Sequence, residues 1–422
     1  MKSKPFFLLV AFFALLTLPA LAAELPTAAP EDVGMSAEKL ALVKPAMQKY
    51  VDDHKVAGAI VIAARKGKVV LFESVGWSDI DAKKPMEKDS ILRFYSMSKA
   101  ITSTAAMMLV DEGKLALDDP IAKHIPEFAG LKVYAGMEDE KMKLEEAGRA
   151  PTVRDLLRHT SGLTYGIFGL TPVDLKYRAA NVLDKSATLK EMAGKLGEIP
   201  LLYQPGTRFH YSVSTDVLGH VVERASGQTL GDFFAERIFR PLDMCDTAFH
   251  VAKDKSDRFA TNYGPKLFGG GMKIVDDAAT SDYLKAPKMQ SGGGGLVSTA
   301  RDYMRFCQMI AGGGKLGDVR LLKEETVKEM TRNQLPDEAY PIALGGKRHG
   351  VGFGLGFSVV VEKTEYSRHQ RVGEFGWGGA ASTHFWLSPK DDLAVVVLSQ
   401  RMPFSSQMEA LVKPLIYDAI KE

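Results

Sequence analysis

Ser96 and Lys99, in the stretch Ser96-Met97-Ser98-Lys99, put a hydroxyl and an amine three residues apart at the head of a long apolar segment. Positions i and i+3 share one face of a helix, so the two groups can meet. The run from Ala100 to Val110 is small or apolar on every side, as in a helix buried at a domain centre, and Gly113 offers its stop. With Ser96 opening that helix, its hydroxyl lies at the positive end of the helix dipole, and burial around Lys99 disfavours the ammonium. A serine beside an amine kept partly neutral is an activated nucleophile.

The same spacing occurs once more, as Ser36-Ala37-Glu38-Lys39. There Ser36 reads as the N-cap of an exposed amphipathic helix, with Glu38 in the first turn and Leu40, Leu42 and Val43 as the apolar stripe. Only the Ser96 copy has its lysine followed by an apolar run.

A Ser-Lys pair also needs a group to pass the proton to a leaving group and donors to hold an oxyanion. Tyr211, in His210-Tyr211-Ser212-Val213, stands just before a helix start, where a phenol can project into a cleft. Gly376-Trp377-Gly378-Gly379-Ala380-Ala381-Ser382, just ahead of an apolar strand, offers backbone N–H groups that side chains leave uncovered. Trp377, Gly378, Gly379 and Ala380 are therefore candidates for oxyanion and substrate binding.

The elements that must position these groups are strands at both ends of the chain and helices between. Residues 57–64 and 69–74 read as two apolar strands joined by a Gly turn, and 383–387 and 393–398 as a matching pair. Both pairs are apolar enough to be covered on two faces, and a final helix over 405–420 can cover one of them. Thr152 with Asp155 caps a helix from Val153 to His159. Ser214 or Thr215 opens one from Asp216 to Ala225, stopped by Gly227. Thr299 with Asp302 opens another through Ile310. The charged segment 128–150 reads as an exposed helix or loop. The implied architecture is α/β (α+β): an antiparallel sheet built from both termini and flanked by helices, with a large helical domain inserted. Residues 23–115 and 291–422 form the sheet domain and 116–290 the helical one.

Composition narrows the setting. Residues 1–22 carry Lys2 and Lys4, an apolar run and an Ala-x-Ala ending, the pattern of a cleavable signal peptide, which implies a periplasmic or secreted protein. No later segment is long and apolar enough for a membrane span. A net charge of +2 leaves no basic stripe for nucleic acid. Cys245 and Cys307 stand among apolar neighbours and read as buried thiols rather than a bridge. The glycines at 350–356 miss the dinucleotide spacing, and no Gly-x-Ser-x-Gly occurs. No histidine spacing suggests a metal site, and neither metal nor cofactor is expected. Oligomeric state stays open.

Taken together, several stretches resemble the serine β-lactamase and penicillin-binding-protein superfamily, in the class C-like branch with the DD-peptidases and family VIII carboxylesterases. They are Phe94 to Lys99, Val110 to Leu115, Asp118-Asp119-Pro120, Leu156 to Leu163, Gln204-Pro205-Gly206, Tyr211-Ser212, Ser226-Gly227 and Gly293 to Leu296. The resemblance implies a β-lactamase/transpeptidase-like fold, with Ser96 as nucleophile, Lys99 and Tyr211 as proton carriers, and Ala380 N–H in the oxyanion hole. It leaves His159 a structural hydrogen-bonding residue, since such a site needs no histidine. Two departures matter. Tyr-x-Asn reads Tyr211-Ser212-Val213, and the Lys-Thr-Gly strand motif reads Trp377-Gly378-Gly379, so an amide and a cation for a substrate carboxylate are both missing. That moves the expectation to small neutral esters. A β-lactamase or DD-peptidase, or a non-catalytic cell-wall or peptide-binding relative, are the alternatives. The walls of the acyl pocket are expected within 165–195 and 262–290.

Overall fold

The computed structural model describes residues 24–421 apart from Leu267 and Gly269, so the segment read as a signal peptide lies outside the described residues. Eight strands form one sheet: β1 (Gly58–Arg65), β2 (Lys68–Asp79), β3 (Lys84–Pro85), β4 (Val351–Phe353), β5 (Ser358–Val360), β6 (Phe375–Gly379), β7 (Thr383–Ser388) and β8 (Leu393–Ser399). Their order is β4-β5-β6-β7-β8-β1-β2-β3. The seam between the two ends of the chain is the antiparallel pair β1/β8, from Ala59 opposite Ser399 to Arg65 opposite Leu393.

Alternation along β1 assigns its two faces. Ala59, Val61 and Ala63 pack with the helices Val43–Asp52 and Gln407–Asp418, while Ile60, Ile62 and Ala64 join the larger core on the other side. Strands β1, β7 and β8 are thus covered on both faces, as their apolar runs imply. In β2, next to the two-residue edge strand β3, several side chains remain half-exposed.

On the larger core side the helix Ser98–Asp111 is buried all round through Leu109 and packs against the helix Ser214–Ser226. Several local expectations are corrected. The central helix begins at Ser98, and Ser96 occupies a 3-10 turn, Tyr95–Met97, just before it. The helix capped by Thr152 and Asp155 ends at Leu157, because His159 adopts a left-handed φ of 57°. The helix Ser214–Ser226 takes no side-chain cap; Val213 is its N-cap and Asp216 turns outward to another loop. Thr299 caps the helix Ala300–Ala311, and Gly227 ends its own helix in the left-handed region, as read.

The charged segment is an exposed hairpin, Val133–Glu138 with Lys141–Glu145, rather than a helix or loop. Asp139 and Glu140 both have positive φ, the backbone of a turn whose twist matches paired strands. Ser36 caps a helix as expected, but Leu42 is 55% exposed and does not join Leu40 and Val43 in the core. Cys307 is buried while Cys245 is exposed, and both are free thiols. Among the described residues, no helix is long and apolar enough to cross a membrane.

Candidate active site

The turn that carries Ser96 is pinned on three sides. Phe94 N–H donates to Leu296 O at 2.9 Å, Leu296 N–H donates to Ser98 Oγ at 3.1 Å, and Tyr303 OH donates to Met97 O at 2.9 Å. Tyr95 is held at φ 43°, a conformation that costs a non-glycine residue about 1–3 kcal/mol and persists only where surrounding contacts over-determine it. The strained residue immediately precedes the hydroxyl.

Lys99, one helical turn on, is 1% exposed. Its Nζ lies 3.3 Å from Ser96 Oγ, 2.9 Å from Tyr165 OH and 2.6 Å from Gly293 O. Tyr211 OH donates to Ser96 Oγ at 2.7 Å, and Lys99 Nζ stands 4.7 Å from the centre of the Tyr211 ring. The nucleophile and the two proton carriers expected from the sequence therefore meet at one oxygen.

Trp377 comes from β6 and sets its Nε1 3.4 Å from Tyr211 OH, with ring centres 5.5 Å apart. Gly379 explains how β6 reaches the site: a Cβ there would lie 2.1 Å from Phe94 O. Only a bare backbone lets the strand lie against the nucleophile's turn. Half-buried Gly378 precedes it, and Ala380 follows at a half-exposed turn. Gly379→Ala should push β6 off the Ser96 turn and lower kcat roughly 100-fold, the cost of about an ångström of misplacement. Ester turnover measured beside thermal unfolding checks this; unchanged kcat would detach β6 from the site.

Two site residues were not singled out from the sequence. Tyr165 is the phenol on Lys99, and burial, followed by the neighbouring Tyr211 and Asp216, pushes its pKa well above the ordinary phenol value, so it remains protonated. Gly293 supplies the carbonyl. Its N–H donates to Asp216 Oδ1 at 3.0 Å, and Thr102 Oγ1 donates to the preceding Gly292 O at 2.7 Å. The loop is thereby clamped between the two central helices and aims its carbonyl at the amine. No local pattern in the sequence marked the first. The glycine run marked the second.

His159 is corrected from a hydrogen-bonding role to packing. Its buried Nδ1 has no hydrogen-bond partner, and its ring lies 4.8 Å from Tyr211 and 5.6 Å from Phe353. Burial, then the charges of Lys99 and His210, hold it well below the usual imidazole pKa, so it backs Tyr211 as a neutral ring. Outward, the Phe168 ring meets Tyr165 edge-on at 5.6 Å and lies tilted 6.3 Å from Tyr211; it is 61% exposed, with exposed Ile167 and Leu170 near it in sequence. The mouth of the site is apolar.

Cys245, Asp246 and Asp302 bring possible metal-ligand atoms within 4.8 Å of one another. Asp246 is already held by Arg258 at 2.6 Å and Lys255 at 2.8 Å, so its charge is answered by protein cations.

Similarity to known proteins agrees with this geometry. Protein Rv1367c of Mycobacterium tuberculosis (strain ATCC 25618 / H37Rv) is 35% identical over 370 residues, spanning 85% of this chain and 89% of that protein. Esterase EstB of Burkholderia gladioli is 29% identical over 394 residues, spanning 89% and 93%. The solved structure of EstCE1, a hydrolase with promiscuous acyltransferase activity, matches with a TM-score of 0.77 at 26% identity, covering 90% of this chain and 99% of that one. The beta-lactamase family model matches residues 43–413. With a match across that span, and a hydroxyl, an amine and a phenol converging at its centre, the chain belongs to the beta-lactamase family.

Proposed function

We propose that this chain, a serine hydrolase of the beta-lactamase family, cleaves carboxylic esters through an acyl group carried on Ser96. The observation that carries the reading is the meeting of Lys99 Nζ and Tyr211 OH on Ser96 Oγ. Ser96 Oγ bonds to the ester carbonyl carbon while its proton passes to the Lys99–Tyr211 pair. Backbone N–H groups of Ser96 and Ala380 hold the oxyanion. The C–O bond to the alcohol breaks, the alcohol takes the proton, and acyl-Ser96 remains. Water then attacks the acyl carbon and gives a proton to the same pair; the acid departs and Ser96 recovers its hydrogen. Phosphonate labelling followed by mass spectrometry should place the adduct on Ser96, and an adduct elsewhere, or none, would refute the mechanism and favour a non-catalytic binder.

Esters are favoured over β-lactams or peptides by Trp377. It closes one wall with an apolar ring, 9% exposed, where the resembling enzymes offer a cation to a substrate carboxylate. Val213 is fully buried and caps a helix, so the missing amide at that position is a core side chain here, and Trp377 bears the specificity. Trp377→Lys should shift the kcat/KM ratio at least tenfold from short neutral p-nitrophenyl esters toward nitrocefin, which carries a carboxylate. A constant ratio would remove Trp377 as the determinant. The leader-like segment 1–22 supports export to the periplasm or beyond; fractionation with cleavage mapped by N-terminal sequencing tests it.

A further inference from the structure

Behind the Lys99 amine stands a buried carboxylate. Asp216 is 1% exposed and lies in the first turn of the helix Ser214–Ser226. Its Oδ1 accepts from Gly293 N–H at 3.0 Å and from Ser291 Oγ, while its buried Oδ2 has no hydrogen-bond partner. A Cβ on Gly293 would lie 2.3 Å from that Oδ2, so only a bare backbone can lie against the acid. Among the described residues Asp216 makes no ion pair. A buried carboxylate without a cation is costly, so its place beside the site needs a physical cause.

Lys99 presents the complementary case. Its Nζ meets the oxygens of a serine, a tyrosine and a peptide, and among the described residues it too makes no ion pair. The two groups share one glycine: Gly293 gives its N–H to Asp216 and receives Lys99 on its carbonyl oxygen. A carboxylate in direct contact would hold the lysine proton and take it out of the reaction. Set behind a residue of backbone, it attracts positive charge more weakly and leaves the proton exchangeable.

The titratable side chains facing Lys99 are the phenols of Tyr165 and Tyr211, with the neutral His159 ring behind Tyr211. Asp216 brings the negative charge to this group. After burial and the neighbouring Tyr211, it is the next cause that holds the proton on Tyr165, the other partner of Lys99. We infer that Asp216 is a positioning residue for acyl transfer: through Gly293 it fixes the carbonyl that receives Lys99 and supplies the counter-charge for the proton taken from Ser96. The proton moves from Ser96 Oγ to the Lys99–Tyr211 pair and on to the leaving alcohol; Asp216 neither gains nor loses one. This role rests on the ester-hydrolase reading above.

The rate at which an uncharged phosphonate labels Ser96 reads this step alone, and its pH profile is measured beside kcat and KM for p-nitrophenyl acetate. Asp216→Asn keeps the shape and an oxygen for Gly293 N–H but removes the charge. It should lower the labelling rate and kcat about tenfold and leave KM within about twofold. It should also move the acid limb of the profile to lower pH by about one unit, because losing a negative charge disfavours the protonated form of the pair. Asp216→Ser, a second uncharged variant, reads the same limb should thermal unfolding show that the amide variant does not fold. Ser291→Ala keeps the charge and the Gly293 bond, so the limb should stay in place. In a Lys99→Ala background Asp216→Asn should lower kcat less than about threefold, since its effect passes through the amine. A lower rate with an unmoved limb in the uncharged variants would make Asp216 a plain strut, and a full tenfold loss without Lys99 would show that it acts elsewhere. Either result overturns the inference and leaves Ser96-dependent ester cleavage standing. Absence of a phosphonate adduct on Ser96 in the wild-type protein would overturn the underlying reading instead.

Discussion

Ser96→Ala should lower ester turnover by a factor on the order of 10⁴ or more, because the nucleophile and the groups that serve it act as one unit. The protein should stay folded. Ser96 stands in a 3-10 turn rather than at a helix cap, and its turn is anchored by Leu296 and Tyr303, not by its own hydroxyl. The variant leaves Tyr211 OH and Lys99 Nζ one acceptor short, a loss of about 1 kcal/mol. Tyr211 OH keeps the hydrogen bond it accepts from Trp377 Nε1 but has its own proton free for solvent, and Lys99 still has Tyr165 and Gly293. Ser36→Ala is the matched control, since it shares the spacing but its Oγ accepts only the Lys39 N–H at 3.3 Å. It should cost about 1 kcal/mol or less in stability and nothing in turnover. Activity assays with thermal unfolding on both proteins decide the matter; a silent Ser36→Ala protein beside an active Ser96→Ala protein would reverse the assignment.

What the sequence makes legible here is what local geometry dictates. The i, i+3 pairing of Ser96 and Lys99 and the uniformly apolar run after it needed only helical periodicity, as did the glycine and threonine caps at 227 and 299. Strand pairing across the chain followed from two apolar runs at each end. The misses share a physical origin in contacts between segments distant in sequence. Asp216 does lie in the first turn of its helix, as read, but what its carboxylate serves, Gly293 N–H 77 residues away, had no local signal. Tyr165 carries no periodic signal, and only the fold brings it to Lys99, 66 residues earlier. His159 reads as a structural hydrogen-bonding residue because the site needs no histidine, whereas an aromatic cage of Phe209, Tyr211 and Phe353 surrounds it. The charged hairpin shows the converse, since two turn residues with positive φ outweighed a composition that reads as helix or loop.

The contacts around Ser96 Oγ also fix how the two proton carriers should combine. Lys99→Ala and Tyr211→Phe should each lower kcat by about 10² or more, with smaller effects on KM, as expected when acid-base help is lost in the transition state. Independent contributions would multiply in the double variant. They are not independent here: both groups touch the same oxygen, and Lys99 Nζ stands 4.7 Å from the centre of the Tyr211 ring. Removing either one interrupts the single route by which the serine proton leaves, so the double variant should be little worse than the worse single. Tyr165→Phe separates holding from carrying. It removes one hydrogen-bond partner of Lys99 but no contact to Ser96 Oγ, so it should lower kcat less than Tyr211→Phe and shift the pH profile of kcat. Tyr211→Phe should instead depress the whole profile. Fully multiplicative losses for Lys99 and Tyr211, measured with one ester at saturating concentration, would mean two separate proton routes and would break the shared path on which the mechanism depends.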